Sequence, residues 1–213
     1  MKISMNQVSK KWLVALVLMG FVVSLPTRTL AEVEAQNIIR FGTGELGIQA
    51  GYWQAFEGLG NSSNSNRSAV FVVPQIGIVV TDKIDLGLFS GAVEVLGEPV
   101  VASFHEPFSA TLLGFSIVGR YNFLEFGRWM PYWDFGMGVS WTDLAPRISE
   151  QSTPFEFLLE TGPGLEYFVT QEFAVTGALK LHHISNANIG NRNTGINAAL
   201  GLIGVTYYID EYL

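Results

Sequence analysis

Residues 132–141 read YWDFGMGVSW, and their side chains alternate between two chemical classes. Large apolar side chains occupy the odd positions, which are Trp133, Phe135, Met137, Val139 and Trp141. The even positions from Asp134 to Ser140 are small or polar. Because successive side chains of a β-strand point to opposite faces, this period of two predicts a strand with one apolar face and one polar face.

The same alternation recurs in seven other segments of the chain. The eight predicted strands cover residues 44–52, 69–80, 84–94, 108–122, 132–141, 155–169, 172–186 and 196–209. The links after the second, fourth and sixth strands are predicted to be short, and those after the other strands to be longer, as in EGLGNSSNSNRS at 57–68. An even number of strands with short turns at one end and longer loops at the other is typical of a bacterial outer-membrane barrel.

Composition agrees with a membrane protein that has no membrane helix. The chain is 48% apolar and only 15% charged, it has no Cys, and beyond its first 31 residues no apolar run is long enough to span a bilayer as a helix. A closed barrel is the other structure that satisfies its backbone hydrogen bonds inside lipid. We therefore predict an all-β fold, namely an eight-stranded antiparallel up-and-down transmembrane β-barrel.

A soluble barrel of the lipocalin kind is the rival fold, and the chemistry of the two faces argues against it. A soluble barrel would enclose its large apolar side chains, whereas here the second face consists of Gly, Ser, Asp and Glu and looks too small and polar for a dry interior. The apolar face is therefore expected to contact lipid. The side chains expected to point inward are the acids Glu45, Asp85, Asp134, Glu156, Glu160 and Glu166, with the cations Arg120 and Lys180.

Residues 1–31 have the layout of a secretory signal peptide, which leaves 32–213 as the barrel domain. A basic start with Lys2, Lys10 and Lys11 precedes an apolar run over 12–25 and a small-residue exit that ends at Ala31. The apolar run of 14 residues is short of the ~20 that a membrane helix needs. Cleavage leaves 8 Lys and Arg against 19 Asp and Glu, a formal net charge of −11. Nucleic acid is excluded as a partner, because binding it requires cations that neutralise phosphates.

Residues 181–197 read LHHISNANIGNRNTGIN and interrupt the pattern at the end of the seventh strand. His183 and Ser185 share the lipid face with Leu179 and Leu181, and side chains two apart on one face lie about 7 Å from each other. A serine that is hydrogen-bonded to a histidine is an activated nucleophile, and backbone N–H groups of the following turn can stabilise an oxyanion. The alternative interpretation is structural, because polar residues are common where a barrel strand reaches the headgroup region.

The stretch HISNANIGNRNTGIN resembles the signature region of the lipid A 3-O-deacylases, the PagL family. The resemblance implies an eight-stranded outer-membrane barrel with a serine esterase site on its lipid-facing outside. That site would hydrolyse the ester-linked acyl chain at position 3 of lipid A in lipopolysaccharide of the outer leaflet, with no cofactor and no metal. It also implies that Ser185 is the nucleophile and His183 the general base. Asn186, Asn188 and Asn193 fall among the oxyanion or supporting groups, with Asn188 standing where Gly is common in the family.

The chain departs from the family at the acidic third member of the triad, where it has Asn197. An amide oxygen can orient the imidazole by accepting its Nδ1 proton, but it supplies no charge to stabilise an imidazolium. Glu160 and Glu166 are poor substitutes because they are expected to face the lumen. His182 is also expected to point inward and to form a hydrogen bond near Lys180.

Two alternatives to an enzyme remain open at this point. One is a non-catalytic outer-membrane barrel with a structural or lipopolysaccharide-binding role. A small pore is disfavoured, because the interior of an eight-stranded barrel is filled by side chains. Whether the chain forms a homodimer is left open.

Overall fold

Eight antiparallel strands close into a barrel in which each strand pairs with its neighbours in sequence and the last pairs with the first. The computed structural model describes residues 33–57, 66–145 and 147–209, so the signal peptide predicted over 1–31 lies outside the described residues. The strands are β1 (Gly44–Ala55), β2 (Ser68–Val79), β3 (Gly91–Glu106), β4 (Ala110–Phe123), β5 (Trp129–Thr142), β6 (Phe155–Phe168), β7 (Phe173–Ser185) and β8 (Ile196–Ile209). The predicted fold class is confirmed.

The prediction for β3 is wrong. The alternating residues 84–89 form a β-bridge and a single 3-10 turn, Gly87–Phe89, and the strand begins at Gly91 and continues to Glu106. Asp85, which was expected to point inward, is therefore exposed in the link between β2 and β3. The longer β3 also shortens its link to β4 to residues 107–109, so the predicted long loop at that place does not exist.

The outward-facing side chains form an apolar surface, as the alternation predicts. Examples from four strands are Ile76, Met137, Leu179 and Ile203, which are 60%, 67%, 60% and 75% exposed. In the described residues, no helix is long and apolar enough to cross a membrane. A barrel with this apolar surface suits a lipid environment, because each strand is hydrogen-bonded to a neighbour on both sides and the closed sheet has no free edge.

The interior has three layers and is less polar than predicted. The middle layer holds the buried ion pairs of Arg120 with Asp134 at 2.8 Å and of Lys180 with Asp134 at 3.1 Å and with Glu160 at 3.3 Å. Glu98 joins this layer because β3 extends beyond the predicted strand, and Glu94 joins it because the even positions of β3 point inward, opposite to the face predicted from Ile84, Leu86 and Leu88. An apolar cluster around Trp53, Phe71, Phe104, Leu158 and Ile184 fills one end of the barrel.

A second apolar cluster closes the other end, where β1 begins and β8 ends, and we call this the terminal end. A short helix, α1 (Ala35–Ile38), lies there, and its Ala35 N–H donates to the Gly127 carbonyl of the turn between β4 and β5. Ile38 and Ile39 are buried with Met130 and Phe168 in the same cluster. The opposite end, which we call the loop end, holds His183, Ser185 and Asn197.

Candidate active site

His183 and Asn197 face each other across β7 and β8, near the loop end. The two residues are direct cross-strand partners, and His183 Nδ1 lies 2.6 Å from Asn197 Oδ1. An amide oxygen only accepts, so Nδ1 carries the proton and donates it, and Nε2 is left with its lone pair. Both side chains are half-buried on the outward face. The amide therefore fixes the ring in the tautomer that a general base needs.

Ser185 is the last residue of β7 and lies on the same outward face as His183. Its partner on β6 is Phe157, whose ring contacts that of Phe155 with a centroid distance of 5.3 Å. Within the described part of the chain, no hydrogen bond joins the Ser185 hydroxyl to His183. The strands thus put the hydroxyl and the imidazole on one face without a direct hydrogen bond between them.

Gly195 is a residue of the site that the sequence pattern did not single out. It has a φ of +77°, and a Cβ atom built on it would lie 2.6 Å from Cε1 and 3.2 Å from Nε2 of His183. Both the backbone conformation and the contact exclude a side chain. The imidazole therefore packs directly against the backbone just before β8, and this contact and the Asn197 hydrogen bond hold the ring from two sides.

The turn after Ser185 is organised by Asn186, which is fully buried. Its N–H donates to Asn193 Oδ1 at 3.0 Å, its side-chain amide donates to the Arg192 carbonyl at 2.8 Å, and its Oδ1 accepts from the Asn188 N–H at 3.1 Å. Asn193 also donates to Asn188 Oδ1 at 3.3 Å. The three asparagines are thus hydrogen-bonded to one another and to the backbone of the turn.

These hydrogen bonds favour a supporting role for Asn186 and Asn188 over a role as donors to an oxyanion. The N–H groups of Asn186 and Asn188 already have acceptors, so they are not free to bind an oxyanion in this arrangement. Ala187 lies between them with a φ of +50°. Its N–H has no acceptor among the residues that the structure describes.

The link between β5 and β6 braces this turn from outside. Gln151 forms a β-bridge with Asn193, and the Thr194 N–H donates to the Glu150 carbonyl at 3.0 Å. Arg192 Nη2 donates to the Gln151 carbonyl at 3.0 Å, and Glu150 forms a buried ion pair with Arg67. The two links therefore form one ordered unit over the end of β7.

A groove runs sideways from His183 across the outer surface of the barrel, with a volume of about 640 Å³. Cross-strand register places two neighbouring rows of outward side chains along it. One row is His183, Leu159, Met137 and Ile117, and the other is Leu181, Thr161, Phe135 and Gly119. Thr161 and Gly119 have small or no side chains, so at these two positions the second row projects less from the barrel surface and leaves space for the groove. The groove is mainly apolar, and its polar lining includes His183 and Asn197 at one end together with Thr161 and Glu160.

Thr161 is polar but places no unsatisfied group in this surface. Its hydroxyl donates to the Asp134 carbonyl at 2.8 Å and accepts from the Trp133 indole at 2.9 Å. Polar groups at a lipid-facing surface must be paired in this way, because no water is available to them.

The side chains behind the site belong to the barrel interior. His182 points inward as predicted, and its buried Nδ1 accepts a hydrogen bond from the Trp53 indole at 3.1 Å. Glu160 pairs with Lys180, and Glu166 accepts from Thr206 and Tyr208 at 3.1 and 2.7 Å. In the described residues, no group of three or more His, Cys, Asp or Glu side chains is placed to hold a metal ion.

A comparison with models of protein families identifies the family of the chain. The model of the family described as lipid A 3-O-deacylase (PagL) matches residues 51–206, which is well over half of the chain and includes His183, Ser185 and Asn197. No curated protein sequence matches the chain.

Several solved structures of outer-membrane proteins are similar to the chain in fold. The outer membrane enzyme PagL superimposes with a TM-score of 0.53 at 16% identity, over 75% of this chain and 97% of that one. Neisserial surface protein A and the N-terminal barrel of OprF from Pseudomonas aeruginosa each give a TM-score of 0.48 at 16% identity, over 79% of this chain and 98% of theirs. At this identity the likeness concerns the fold.

Proposed function

Since the chain belongs to the lipid A 3-O-deacylase (PagL) family, we propose that it hydrolyses the ester-linked acyl chain at position 3 of lipid A. The chain is a Gram-negative outer-membrane barrel. The observation that carries the proposal is the 2.6 Å hydrogen bond between His183 and Asn197. His183 lies two residues before Ser185 on the same outward face of β7, and both His183 and Asn197 line one end of the groove.

Ser185 is the nucleophile and His183 the general base in this proposal. Ser185 Oγ attacks the ester carbonyl carbon and passes its proton to His183 Nε2, which then protonates the departing sugar oxygen. The resulting acyl-enzyme is hydrolysed by a water molecule that His183 deprotonates, and the fatty acid is released. Asn197 holds the ring with Nδ1 protonated through both steps. In this proposal the hydrogen bond between Ser185 Oγ and His183 Nε2 forms when substrate binds, because catalytic hydrogen bonds often tighten in the substrate complex.

The oxyanion donor in this scheme is the Ala187 N–H, two residues after the nucleophile. The neighbouring amides of Asn186 and Asn188 are committed to the turn, whereas the Ala187 amide has no acceptor in the described residues. Asn186, Asn188 and Asn193 are positioning residues that hold this amide in place. A preorganised donor of this kind typically contributes 10²–10³-fold to turnover.

The groove is the binding site for the acyl chain. Its two rows of side chains lie on the lipid-facing surface, so a lipid in the same leaflet reaches them by lateral diffusion and does not have to leave the membrane. Burial of apolar surface contributes about 25 cal/mol per Å², which suits a hydrocarbon chain and a groove with one polar end. The ester then lies beside His183 and Ser185.

Orientation in the membrane follows from the lengths of the links. Links at the loop end cover 56–67, 107–109, 143–154 and 186–195, and three of these four are long. At the terminal end 124–128 and 169–172 are short turns, whereas the link 80–90, which was predicted to be short, is long. Outer-membrane barrels keep long loops outside. We therefore place the site at the outer leaflet, where lipopolysaccharide lies, and the terminal end in the periplasm, in agreement with a signal peptide over 1–31.

A non-catalytic barrel that binds lipopolysaccharide is the second candidate. Asn197 favours it, because an amide cannot stabilise the imidazolium that forms during turnover. The absence of a Ser185–His183 hydrogen bond among the described residues favours it as well. Under this candidate the groove still binds an acyl chain, but the ester remains intact.

A covalent probe separates the two candidates without depending on the substrate. A long-chain alkyl fluorophosphonate is attacked by an activated serine, which forms a P–O bond as fluoride leaves. We expect the purified protein to gain the probe at Ser185, and the His183→Ala variant to remain unmodified. Ser103, a serine exposed on the outward face of β3, serves as the internal control and should not react. No modification of Ser185, or equal modification of Ser103, would support the non-catalytic barrel.

A further inference from the structure

The link between β2 and β3 exposes four large apolar side chains within six residues. Ile84, Leu86, Leu88 and Phe89 are 38%, 59%, 63% and 65% exposed. We call residues 84–89 the apolar link. A contiguous apolar patch on a protein surface marks a contact with another apolar phase or partner, whereas isolated exposed apolar residues are ordinary.

The apolar link folds back against the outward face of the barrel and does not cover its mouth. Tyr121 and Phe123 lie on the outward face of β4, and the Tyr121 hydroxyl donates to the Phe89 carbonyl at 2.9 Å. The rings of Phe89 and Phe123 form an edge contact with centroids 6.5 Å apart. Gly91 allows this packing, since a Cβ there would lie 2.7 Å from the Tyr121 ring. The link is thus continuous with the surface that contacts lipid.

The backbone of the apolar link is largely satisfied by internal hydrogen bonds. Ile84 and Gly91 exchange two of them, at 2.7 and 3.1 Å, and the Ser90 hydroxyl accepts from the Leu86 N–H and donates to the Gly87 carbonyl. Gly87 has a φ of +62°, which lets the turn close on itself. Unpaired backbone groups are costly where water is scarce, so this closed turn suits an apolar environment better than an open loop would.

Aromatic and charged groups mark the level of the membrane surface near the apolar link. Trp129 and Tyr167 contact each other at the same end of the barrel, with ring centroids 4.6 Å apart and the ring planes tilted by 52°. Such amphipathic rings gather at the headgroup region. At the base of the link, Lys83 forms an ion pair with Glu125. The hydrogen bond to Glu125 raises the pKa of Lys83 above its ordinary value, so the ammonium remains charged beside the apolar residues.

We propose that the apolar link is immersed in the phospholipid leaflet at the terminal end of the barrel, at the boundary between headgroups and acyl chains. Its occupant is the lipid surface itself, because the patch is continuous with lipid-facing Tyr121 and Phe123 and a protein partner would have to enter the bilayer to cover it. Ile84, Leu86, Leu88 and Phe89 insert, and Asp82 and Lys83 remain among the headgroups. The proposal does not depend on the esterase activity.

Spin labels can measure this depth directly, because the chain has no Cys to remove. Leu88→Cys carries the test label, Asp82→Cys is the control at the base of the same link, and Ile203→Cys on β8 marks a lipid-facing position. Each labelled protein is placed in phosphatidylcholine vesicles, and relaxation by oxygen is compared with relaxation by a water-soluble nickel chelate. We expect the Leu88 label to favour oxygen, as the Ile203 label does, and the Asp82 label to favour nickel.

The proposal is overturned if the Leu88 label is as accessible to nickel as the Asp82 label. Only labelled proteins with the heat-dependent gel migration of the unmodified barrel are compared, which excludes misfolded samples. Leu86→Cys replaces Leu88→Cys if the latter does not fold, and the same result is expected. Because all labels have the same structure, a difference between them reports the position and not the probe.

Discussion

His183 Nδ1 lies 2.6 Å from Asn197 Oδ1, on directly paired positions of β7 and β8. The bond gives the imidazole the orientation and tautomer of a general base, but the partner is an amide and carries no charge. A carboxylate at this position would both orient the imidazole and stabilise an imidazolium by its charge. Asn197 does only the first of these.

Asn197→Asp should restore the charge and raise turnover. In a serine protease, replacing the carboxylate of the triad by an amide lowers kcat about 10⁴-fold, so the reverse change is expected to raise kcat by about tenfold or more. Asn197→Leu, which removes the acceptor, should lower it. Initial rates of fatty acid release from lipopolysaccharide in micelles measure both effects. Equal rates for the wild type and the two variants would show that Asn197 does not act on His183 during turnover.

Gly195→Ala should disable the site without unfolding the barrel. The added Cβ would lie 2.6 Å from the His183 ring, and the φ of +77° is unfavourable for alanine. Because an ångström of misplacement can cost about 10²-fold in rate, kcat is expected to fall by that order. Gly201→Ala on β8 is the matched control, since nothing lies within 4 Å of its Cβ position. A Gly195→Ala variant with unchanged kcat would contradict this contact.

Gly119→Phe should fill the far end of the groove. Gly119 lines the groove, and its Cβ position has only a backbone oxygen at 3.9 Å, so a bulky side chain fits there without disturbing the strands. We expect a higher KM for a long-chain ester and no change for a short-chain ester that does not reach Gly119. Gly201→Phe, also outward-facing and open, should change neither value. If the long-chain and short-chain esters respond alike, the acyl chain does not lie in the groove.

Asp134→Asn should destabilise the barrel far more than a matched change in a surface pair. Asp134 is fully buried between Arg120 and Lys180, and removing one partner of a buried ion pair typically costs about 3 kcal/mol or more. Glu125→Gln at the partly exposed Lys83 pair should cost much less, because solvent screens an exposed pair. Urea unfolding in vesicles, followed by Trp fluorescence, gives both values. Similar losses would mean that the interior ion pairs do not stabilise the fold.

Alternation in the sequence predicts strands best where the two faces differ most. β5 follows the prediction closely, because its outward side chains are apolar and its inward ones from Asp134 to Ser140 are small or polar. β3 does not, since Leu96, Val100 and Phe104 point inward with Glu94 and Glu98, and apolar residues on both faces hide the period. The apolar link at 84–89 alternates more clearly than β3, so the alternation predicts the strand there and not at Gly91–Glu106. We infer that the apolar residues of the link are exposed because they contact lipid, and local alternation does not distinguish such a link from a strand.

The candidate site was predictable in its outline but not in its connections. The spacing of His183, Ser185 and Asn197 along two paired strands places them on one outward face from sequence alone. The contact of Gly195 with the ring depends on a backbone φ that the sequence does not specify. The roles of the Asn186 amide and of Ala187 depend on how the turn satisfies its own hydrogen bonds, and the groove arises only when four strands are set in register.

Mass spectrometry of lipid A tests the central claim most directly. The wild-type chain and Ser185→Ala are produced in the outer membrane of a Gram-negative host whose lipid A has an ester-linked chain at position 3. We expect the wild type to remove the mass of one hydroxyacyl chain from lipid A, and Ser185→Ala, inserted in equal amount, to leave lipid A intact. Unchanged lipid A with the wild-type protein folded in the membrane would contradict the account, as would equal deacylation by both proteins.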